Sequence, residues 1–436
     1  MPVIPWLKNV FESGKKIADE RKLYKKIDDQ LVFQKSEPLT LGVEFELAVL
    51  DKISLRPAHI GIDIIEEIKV PGVKKEAFAH MVEVTTAIAK NVQEAEAQLT
   101  ECIDKIEASC EKRGVMLTGT GRPPTIMLAE VQSTADKDAR YKRLVEERKV
   151  LNQRFGTLGM HIHIGMANAE ECVRFHNFFM HFIPHLIALS SSSPFEDGVH
   201  TGLATIRPTI AESLPVAGMP YSFRNWQEYV GLVRAIYRAG SIQDMKDLWW
   251  DLRPAPRFGT LEIRVCDQPA TMDEAMAIVS FVHCLALWFQ ENQDWLAEIP
   301  RPNSWRVREN KWRAMRYGLD AELVLNNQGE TRPIRDDIHN WLERLMPHVE
   351  QRNYKRYIDM LEQMLEKGNS TARQDKLWGA THDIPTMARF NCEEFSAGTP
   401  QWDRVEKAVS EKKAAKPESK AVPEQTVAMQ QALAAG

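Results

Sequence analysis

Two glutamates lie two residues apart in an otherwise apolar run near the start of the chain. Glu44 and Glu46 belong to residues 42–51, GVEFELAVLD. Successive side chains of a strand point to opposite faces, so both carboxylates share one face and the apolar residues share the other. Ionised carboxylates this close repel each other, and a bound Mg²⁺ or Mn²⁺ or a basic partner relieves the repulsion. The spacing predicts either a site for a hard cation or a solvated acidic edge strand.

Two further strands are predicted to carry possible metal ligands. Residues 77–86, AFAHMVEVTT, place the single carboxylate of Glu83 among apolar side chains, where it needs a metal or an arginine as partner. Residues 157–166, TLGMHIHIGM, alternate so that His161 and His163 share a face with Gly159 and Gly165. Glycines on that face leave room for a ligand to approach the backbone. The alternative is a pair of structural histidines.

A fourth predicted strand combines an acid with a base. Residues 259–266 place Glu262 and Arg264 on one face. This spacing indicates a metal-binding carboxylate beside a guanidinium, whose fixed fork suits phosphate, although a cross-strand salt bridge is the structural alternative. Arg253 lies in the preceding turn and adds positive charge nearby. Arg207 lies in residues 191–217, a loop-like segment that we interpret as a candidate lid.

The combined donor set points to metal-bound phosphate chemistry. Its donors are mainly carboxylates, which favour Mg²⁺ or Mn²⁺ over Zn²⁺. The sequence contains no Walker motif, no GxGxxG after a strand and no kinase signature, so a nucleotide would not be held by these motifs. The predicted strands suggest the alternative of an ATP site on an antiparallel sheet, with metals bridging the phosphates. The alternatives are a metal-dependent hydrolase with zinc on His161 and His163, and a non-catalytic binding protein.

Composition excludes several other classes of protein. The chain has 436 residues, is 44% hydrophobic and 27% charged, and has a net charge of -5, which gives no basic signature for nucleic acid. Its six cysteines form no CxxC pair, which predicts reduced thiols and a cytoplasmic location. Long apolar runs are absent, so we expect neither secretion nor a membrane span. We expect small-molecule substrates; the sequence does not indicate an oligomeric state, and a homo-oligomer is compatible with it.

Six runs resemble, in order, the motifs of glutamate–cysteine ligase family 2, the YbdK-like carboxylate–amine ligases. They span about residues 39–322 and read LGVEFELAVLD, HMVEVTTAI, GMHIHIGM, SSSPFEDGVHTGLATIRP, WWDLRPAPRFGTLEIRVCD and RENKWRAMRYGLDA. The resemblance implies a glutamine-synthetase-like α+β fold, in which the concave face of an antiparallel sheet holds metals and ATP and helices pack on the outer side. It also implies that ATP phosphorylates a carboxylate, typically the side chain of glutamate. The amine of cysteine or a related amine then attacks the acyl phosphate.

The resemblance also implies roles for individual residues. It places Arg264 and Glu262 in catalysis, Arg264 and Arg253 at the nucleotide, and Arg207 and His163 at the substrate. One departure concerns the loop after Gly119 and Thr120, where the family often has His-Pro and this chain has Gly121-Arg122-Pro123. We therefore expect altered substrate contacts in this loop. The implied metal ligands are Glu44, Glu46, Glu83, His161 and Glu262.

The sequence pattern divides the chain into three parts. Residues 1–38 are predicted to form an amphipathic helical extension, and residues 39–400 the ligase-like catalytic domain. Residues 407–436 are rich in Ala, Lys, Glu and Pro and are expected to be a disordered tail.

Overall fold

A long central strand, β1, pairs with three other strands and organises the sheet of this protein. The computed structural model describes residues 25–134, 139–295 and 304–415. The strands are β1 (Leu41–Asp51), β2 (Val73–Lys75), β3 (Met81–Thr85), β4 (Val115–Thr118), β5 (Met160–Gly165), β6 (Phe195–Glu196), β7 (Val199–His200), β8 (Ala217–Gly218), β9 (Trp249–Trp250), β10 (Leu252–Ala255), β11 (Thr260–Ile263), β12 (Glu322–Val324) and β13 (Thr331–Pro333).

Seven of these strands form one antiparallel sheet. Its order is β10-β11-β5-β1-β3-β2, and β4 pairs with the far end of β1. Along β1 the apolar residues Val43, Phe45 and Leu47 are buried, while Glu44 and Glu46 are only partly buried. This alternation confirms the prediction of one apolar and one acidic face.

Helices cover the apolar face of the sheet and extend the core. They are α1 (residues 25–31), α2 (Gly61–Ile68), α3 (Val92–Arg113), α4 (Ala139–Arg148), α5 (Leu151–Arg154), α6 (Ala169–Phe179), α7 (Ile183–Ser190), α8 (Arg207–Ala211), α9 (Trp226–Arg238), α10 (Met272–Glu291), α11 (Ser304–Tyr317), α12 (Ile334–Arg352), α13 (Lys355–Lys367), α14 (Ser370–Thr381), α15 (Ile384–Ala397) and α16 (Trp402–Ala415). The helices and the antiparallel sheet together confirm the α+β class.

The long apolar helix α10 lies in the centre of the core. It packs on α13 and α12, and its residues belong to the same hydrophobic cluster as the apolar residues of β1, β5 and β11. Its N-terminus is capped by Thr271, whose hydroxyl accepts a hydrogen bond from the backbone N–H of Glu274. By length and composition α10 could cross a membrane, but 83% of its most apolar window is buried inside the protein. Core packing accounts for its hydrophobicity.

All six cysteines are free and buried in the structure, as the absence of paired spacing predicted. The location in the cytoplasm stays a prediction.

The two ends of the chain are only partly described. Of the predicted N-terminal helix, residues 1–24 lie outside the described residues. Residues 25–31 are helical, and Ile27 and Leu31 pack in a cluster with Trp226 and Tyr229 of α9. The proposed boundary at residue 38 stays a prediction.

The expected disordered tail begins too early in the chain. Residues 407–415 belong to α16 and are helical. The helix is anchored by Val405, which is buried with Phe390 and Leu377, and Ala, Lys and Glu are good helix formers that extend it. The expectation of disorder from residue 407 is therefore wrong for these residues, and residues 416–436 lie outside the described part.

Candidate active site

The polar face of the sheet lines a cavity of about 400 Å³. All nine residues singled out in the sequence line it, although they come from five separate stretches of the chain. The register of the sheet explains this convergence, because β5 lies between β1 and β11. The nine residues are Glu44, Glu46, Glu83, His161, His163, Arg207, Arg253, Glu262 and Arg264.

Glu44 lies between the two histidines. It is the direct cross-strand neighbour of His161, whose Nδ1 is 3.1 Å from Glu44 Oε2. The Nε2 atom of His163 is 3.4 Å from Glu44 Oε1. Burial raises the pKa of Glu44, but the close approach and the charge of the two histidines outweigh it and hold this pKa far below the ordinary range. Glu44 is therefore an ionised carboxylate at the centre of the cavity.

Glu262 is held by two arginines. Arg253 is its direct partner on β10, and its Nε and Nη2 atoms donate to the carboxylate at 2.7 and 3.0 Å. Arg264 also donates to Glu262 from two residues along the chain. Burial raises the pKa of Glu262, but the two guanidinium charges outweigh it, and the pKa falls well below the ordinary range. The salt bridge considered as the structural alternative is thus present inside the cavity.

Glu44, His163 and Glu262 form a group that fits a divalent cation. One donor atom from each residue lies within 4.8 Å of the others. Among the residues that the structure describes, the Nε2 atom of His163 is buried and has no hydrogen-bond partner, while its Nδ1 atom is fixed by the hydroxyl of Thr260 at 2.9 Å. An oriented imidazole with one unpartnered nitrogen between two carboxylates is a suitable ligand set for a metal.

The two histidines occupy different positions relative to the carboxylates of the cavity. The sequence prediction assigned His161 to the metal and His163 to the substrate. In the structure His163 belongs to the three-residue group, whereas His161 lies between Glu44 and Glu46, with its Nε2 atom 3.9 Å from Glu46 Oε1. The Nε2 atom of His161 is also buried and finds no hydrogen-bond partner in the described parts of the chain. Both histidines therefore remain candidate ligands.

A second group of carboxylates includes a residue that the sequence analysis missed. Glu46 and Glu83 are direct cross-strand neighbours, and Glu76 lines the cavity beside them. Burial and the charges of Glu46 and Glu83 raise the pKa of Glu76 well above its ordinary value. Burial and the charge of Glu44 raise that of Glu83. Lys74 approaches Glu83 at 3.7 Å but is 57% exposed, so a bound cation would relieve the repulsion more effectively.

Glu76 carried no signal that sequence reasoning could have used. It follows Lys74 and Lys75 in a charged segment before β3, which is typical of a solvated turn. It points into the cavity because its carboxylate accepts a hydrogen bond from the backbone N–H of Ala77 at 2.7 Å and the chain then turns into the buried Phe78. Only the tertiary structure shows this orientation.

Arg207 contacts the backbone rather than open space. Its guanidinium donates to the carbonyl oxygens of residues 264–266 at 3.0 to 3.3 Å. The guanidinium also lies against Gly159, where an added Cβ atom would collide with it. At Gly165 the carbonyl oxygen of Glu37 fills the corresponding space. The expectation that these two glycines leave room for a ligand is therefore wrong. Arg207 still lines the cavity, and its contact with substrate stays a prediction.

The departure in the loop after Thr120 affects the cavity indirectly. Arg122 is completely buried and does not line the cavity. Its Nη1 atom donates to the carbonyl oxygens of Arg154 and Gly156 at 3.1 and 2.9 Å. These residues lie between α4, which lines the cavity, and β5. Arg122 thus supports the cavity wall without lining the cavity itself. Altered substrate contacts in this loop stay a prediction.

Comparison with known proteins gives one consistent family. The sequence profile of glutamate–cysteine ligase family 2 matches residues 40–382. A Bdellovibrio bacteriovorus protein provisionally named glutamate–cysteine ligase 2 is 36% identical over 332 residues, which cover 76% of this chain and 87% of the relative. A Frankia alni protein provisionally named glutamate–cysteine ligase 2-1 is 34% identical over 379 residues, covering 85% of this chain and 99% of the relative.

A solved structure shares the fold. Glutamate–cysteine ligase from Francisella tularensis, determined in complex with AMP, superposes with a TM-score of 0.60 and is 14% identical in sequence. The superposition covers 89% of this chain and 97% of that protein. At this identity the likeness concerns the fold alone, and it agrees with the architecture expected from the sequence.

Proposed function

The chain belongs to glutamate–cysteine ligase family 2, a family of ATP-dependent carboxylate–amine ligases, and we propose that it joins the side-chain carboxylate of glutamate to the amine of cysteine or of a related compound. The observation that carries this proposal is the convergence of two acidic groups and a guanidinium in one cavity. Mg²⁺ or Mn²⁺ bound by the acidic groups would neutralise the phosphates of ATP and favour attack at the γ-phosphorus.

The residues of this chain divide into two ligand groups for such ions. Glu44, His163 and Glu262 form the first group. The second consists of Glu46, Glu76 and Glu83, whose mutual repulsion a cation would relieve. His161 lies between the two groups, within 3.1 Å of Glu44 and 3.9 Å of Glu46.

Arg264 is the side chain best placed to stabilise the transferred phosphoryl group. It is fixed by Glu262 and lines the cavity. Fixed guanidinium groups stabilise the charge that develops during phosphoryl transfer. The Nε, Nη1 and Nη2 atoms of Arg253 already donate to Glu262 and to the carbonyl of Leu248. We therefore propose that Arg253 mainly orients Glu262, and that Arg264 contacts phosphate.

The proposed reaction has two steps. A carboxylate oxygen of glutamate forms a bond to the γ-phosphorus of ATP while the bond to the β-phosphate oxygen breaks, which releases ADP. The amine nitrogen then attacks the acyl carbon, and the bond from that carbon to the phosphate oxygen breaks. The products are an amide, inorganic phosphate and the proton released from the amine.

Trapping the acyl phosphate with hydroxylamine tests this proposal. Hydroxylamine replaces the amine substrate and attacks the acyl phosphate. Because ATP, Mg²⁺ and glutamate are all needed to form the acyl phosphate, we expect γ-glutamyl hydroxamate only when all three are present. The variant Glu44→Gln should lose at least about 100-fold in rate, since it removes a charge at the centre of the cavity. Glu101→Gln, an exposed position on α3, is the matched control. Folded protein that forms no hydroxamate with any carboxylate would overturn the proposal.

A further inference from the structure

An arginine of α4 lines the cavity without an acidic partner in the described part of the chain. Arg148 is partly buried, and among the described residues it makes no hydrogen bond or ion pair with a carboxylate. Its Cζ atom lies 3.9 Å from the centre of the Trp249 ring and 5.0 Å from that of Phe155. Stacking on an aromatic ring holds a guanidinium in place and leaves the N–H groups along its edge available to a ligand.

The neighbouring charges do not neutralise Arg148. The nearby acid Asp247 is paired with Arg140 and Arg143, at 3.2 and 2.7 Å. It also accepts a hydrogen bond from the backbone N–H of Gln243 at 2.9 Å. Burial, reinforced by the charge of Arg140, lowers the pKa of Arg148 to about 10, so the guanidinium remains protonated at neutral pH. A partly buried cation in a cavity wall, with no carboxylate partner among the described residues, is suited to an anionic ligand.

We propose that Arg148 binds a carboxylate of one of the two substrates and thereby selects substrates that carry this group in addition to the reacting carboxylate or amine. This inference rests on the proposed ligase function and deepens it. The shared chemistry is a carboxylate: it belongs either to the α-carboxylate of the acid substrate or to the carboxylate of an amino-acid acceptor. In both cases the planar guanidinium offers a pair of N–H donors to the two carboxylate oxygens.

Substrates that lack one carboxylate distinguish these two sources. With cysteine as acceptor, glutamate is compared with 4-aminobutyrate, which keeps the reacting carboxylate but lacks the α-carboxylate. With glutamate as acid, cysteine is compared with cysteamine, which lacks its carboxylate. Each pair is measured with the wild-type protein, Arg148→Gln and Arg148→Lys. Loss of a charged hydrogen bond should lower kcat/KM for the recognised substrate about 10- to 100-fold in Arg148→Gln.

The analogue identifies the source of the carboxylate. For the substrate that Arg148 recognises, the wild-type protein should have a higher kcat/KM than for the analogue. This preference should disappear in Arg148→Gln, because the analogue lacks the carboxylate that contacts Arg148. Arg148→Lys keeps the charge and should give an intermediate loss. Lys142→Gln, which removes an exposed charge from the same helix outside the cavity, is the matched control and should leave all kinetic constants unchanged.

Binding is measured beside turnover, so that the inference and the proposed function fail separately. Isothermal titration of glutamate and of cysteine, with Mg²⁺ and a non-hydrolysable ATP analogue, reports on Arg148 even if the protein is inactive. A wild-type protein that turns over while Arg148→Gln keeps the affinity and preference for both substrates would overturn the inference and leave the ligase function intact. A change confined to the KM for ATP would also overturn it, because Arg148 would then serve the nucleotide.

Discussion

The carboxylates of the cavity differ in how their charge is balanced. Glu44 faces two histidines and Glu262 is held by two arginines, and the pKa of each lies below its ordinary range. Glu76 and Glu83 face other carboxylates, and their pKa values are raised, first by burial and then by like charge. Removing the charge of a carboxylate with a lowered pKa should therefore destabilise the folded protein. Removing the charge of one with a raised pKa should not.

Replacing Glu76 separates metal binding from folding. We expect Glu76→Gln to keep or raise the melting temperature in EDTA, because it removes a partly buried charge that neighbouring carboxylates repel. It should weaken Mg²⁺ binding at least about tenfold, since even outer partners of metal ligands contribute this much. Thermal unfolding with and without Mg²⁺ measures both effects, with Glu101→Gln as control. An unchanged Mg²⁺-induced shift would show that Glu76 does not contribute to the metal site.

Replacing Glu262 should affect folding as well as activity. The variant Glu262→Gln leaves Arg253 and Arg264 without a carboxylate in a site where Glu262 is only 1% exposed. Breaking a buried ion pair from one side typically costs about 3–5 kcal/mol in unfolding free energy. Urea unfolding in EDTA measures this loss, and Glu83→Gln, which leaves no buried arginine unpaired, should not show it. Equal stabilities for the two variants would contradict this assignment of charges.

At the scale of elements, one buried arginine joins three helices. Arg373 of α14 donates to Glu274 of α10 at 2.8 Å and to Glu394 of α15 at 2.6 Å. All three side chains are at most 1% exposed. The packing of these helices behind the sheet thus depends on a charged group as well as on apolar contacts.

Removing this arginine should destabilise the helical layer. We expect Arg373→Met to lose about 3–5 kcal/mol in unfolding free energy, because two buried carboxylates lose their partner. Arg404→Met removes a half-exposed pair with Glu393 and should cost less than about 1 kcal/mol. Urea unfolding compares them, and similar losses for both variants would show that burial does not determine the difference.

The pH dependence of stability follows from the same group. Burial raises the pKa of Glu394, the charge of Arg373 lowers it, and the charge of Glu274 raises it further. The pKa therefore lies above its ordinary value of 4.5. A raised pKa in the folded state favours folding at low pH, and this contribution is lost as pH rises through the folded-state pKa. The stability of the wild-type protein relative to Glu394→Gln should therefore fall as the pH rises above the ordinary pKa of 4.5 and through the raised folded-state pKa. A constant difference in urea-unfolding free energy would contradict the raised pKa.

Local patterns predicted the strands of the site better than its loops. Strict alternation identified the faces of β1, β5 and β11, because an exposed or ligand-facing side chain must alternate with a buried one. Glu76 and Arg148 were missed, since their orientation depends on long-range contacts with the sheet and with Trp249. The helix α16 was missed because Val405 is its buried anchor in an otherwise polar, low-complexity segment. The pairing register of the strands also could not be predicted from local patterns, because it is set only in the folded sheet. The proximity of His163 to Glu262 depends on this register.

At the scale of the whole molecule, the sheet brings together residues that are more than two hundred positions apart in the sequence. Glu44 and Glu262 lie on strands that β5 separates, and His163 bridges them with its imidazole. The helical layer supports the opposite face of the same strands. The fold therefore keeps an acidic surface available for cations while burying a continuous core.

We expect ATP cleavage in this cavity to depend on an acid and an amine together. Release of inorganic phosphate from ATP and Mg²⁺ tests it most directly, with glutamate and a panel of amines added singly and in pairs. We predict release at a sustained rate only when both glutamate and a suitable amine, such as cysteine, are present. Sustained release with no added substrate, or no release with any pair from protein shown to be folded, would contradict the proposed ligase function.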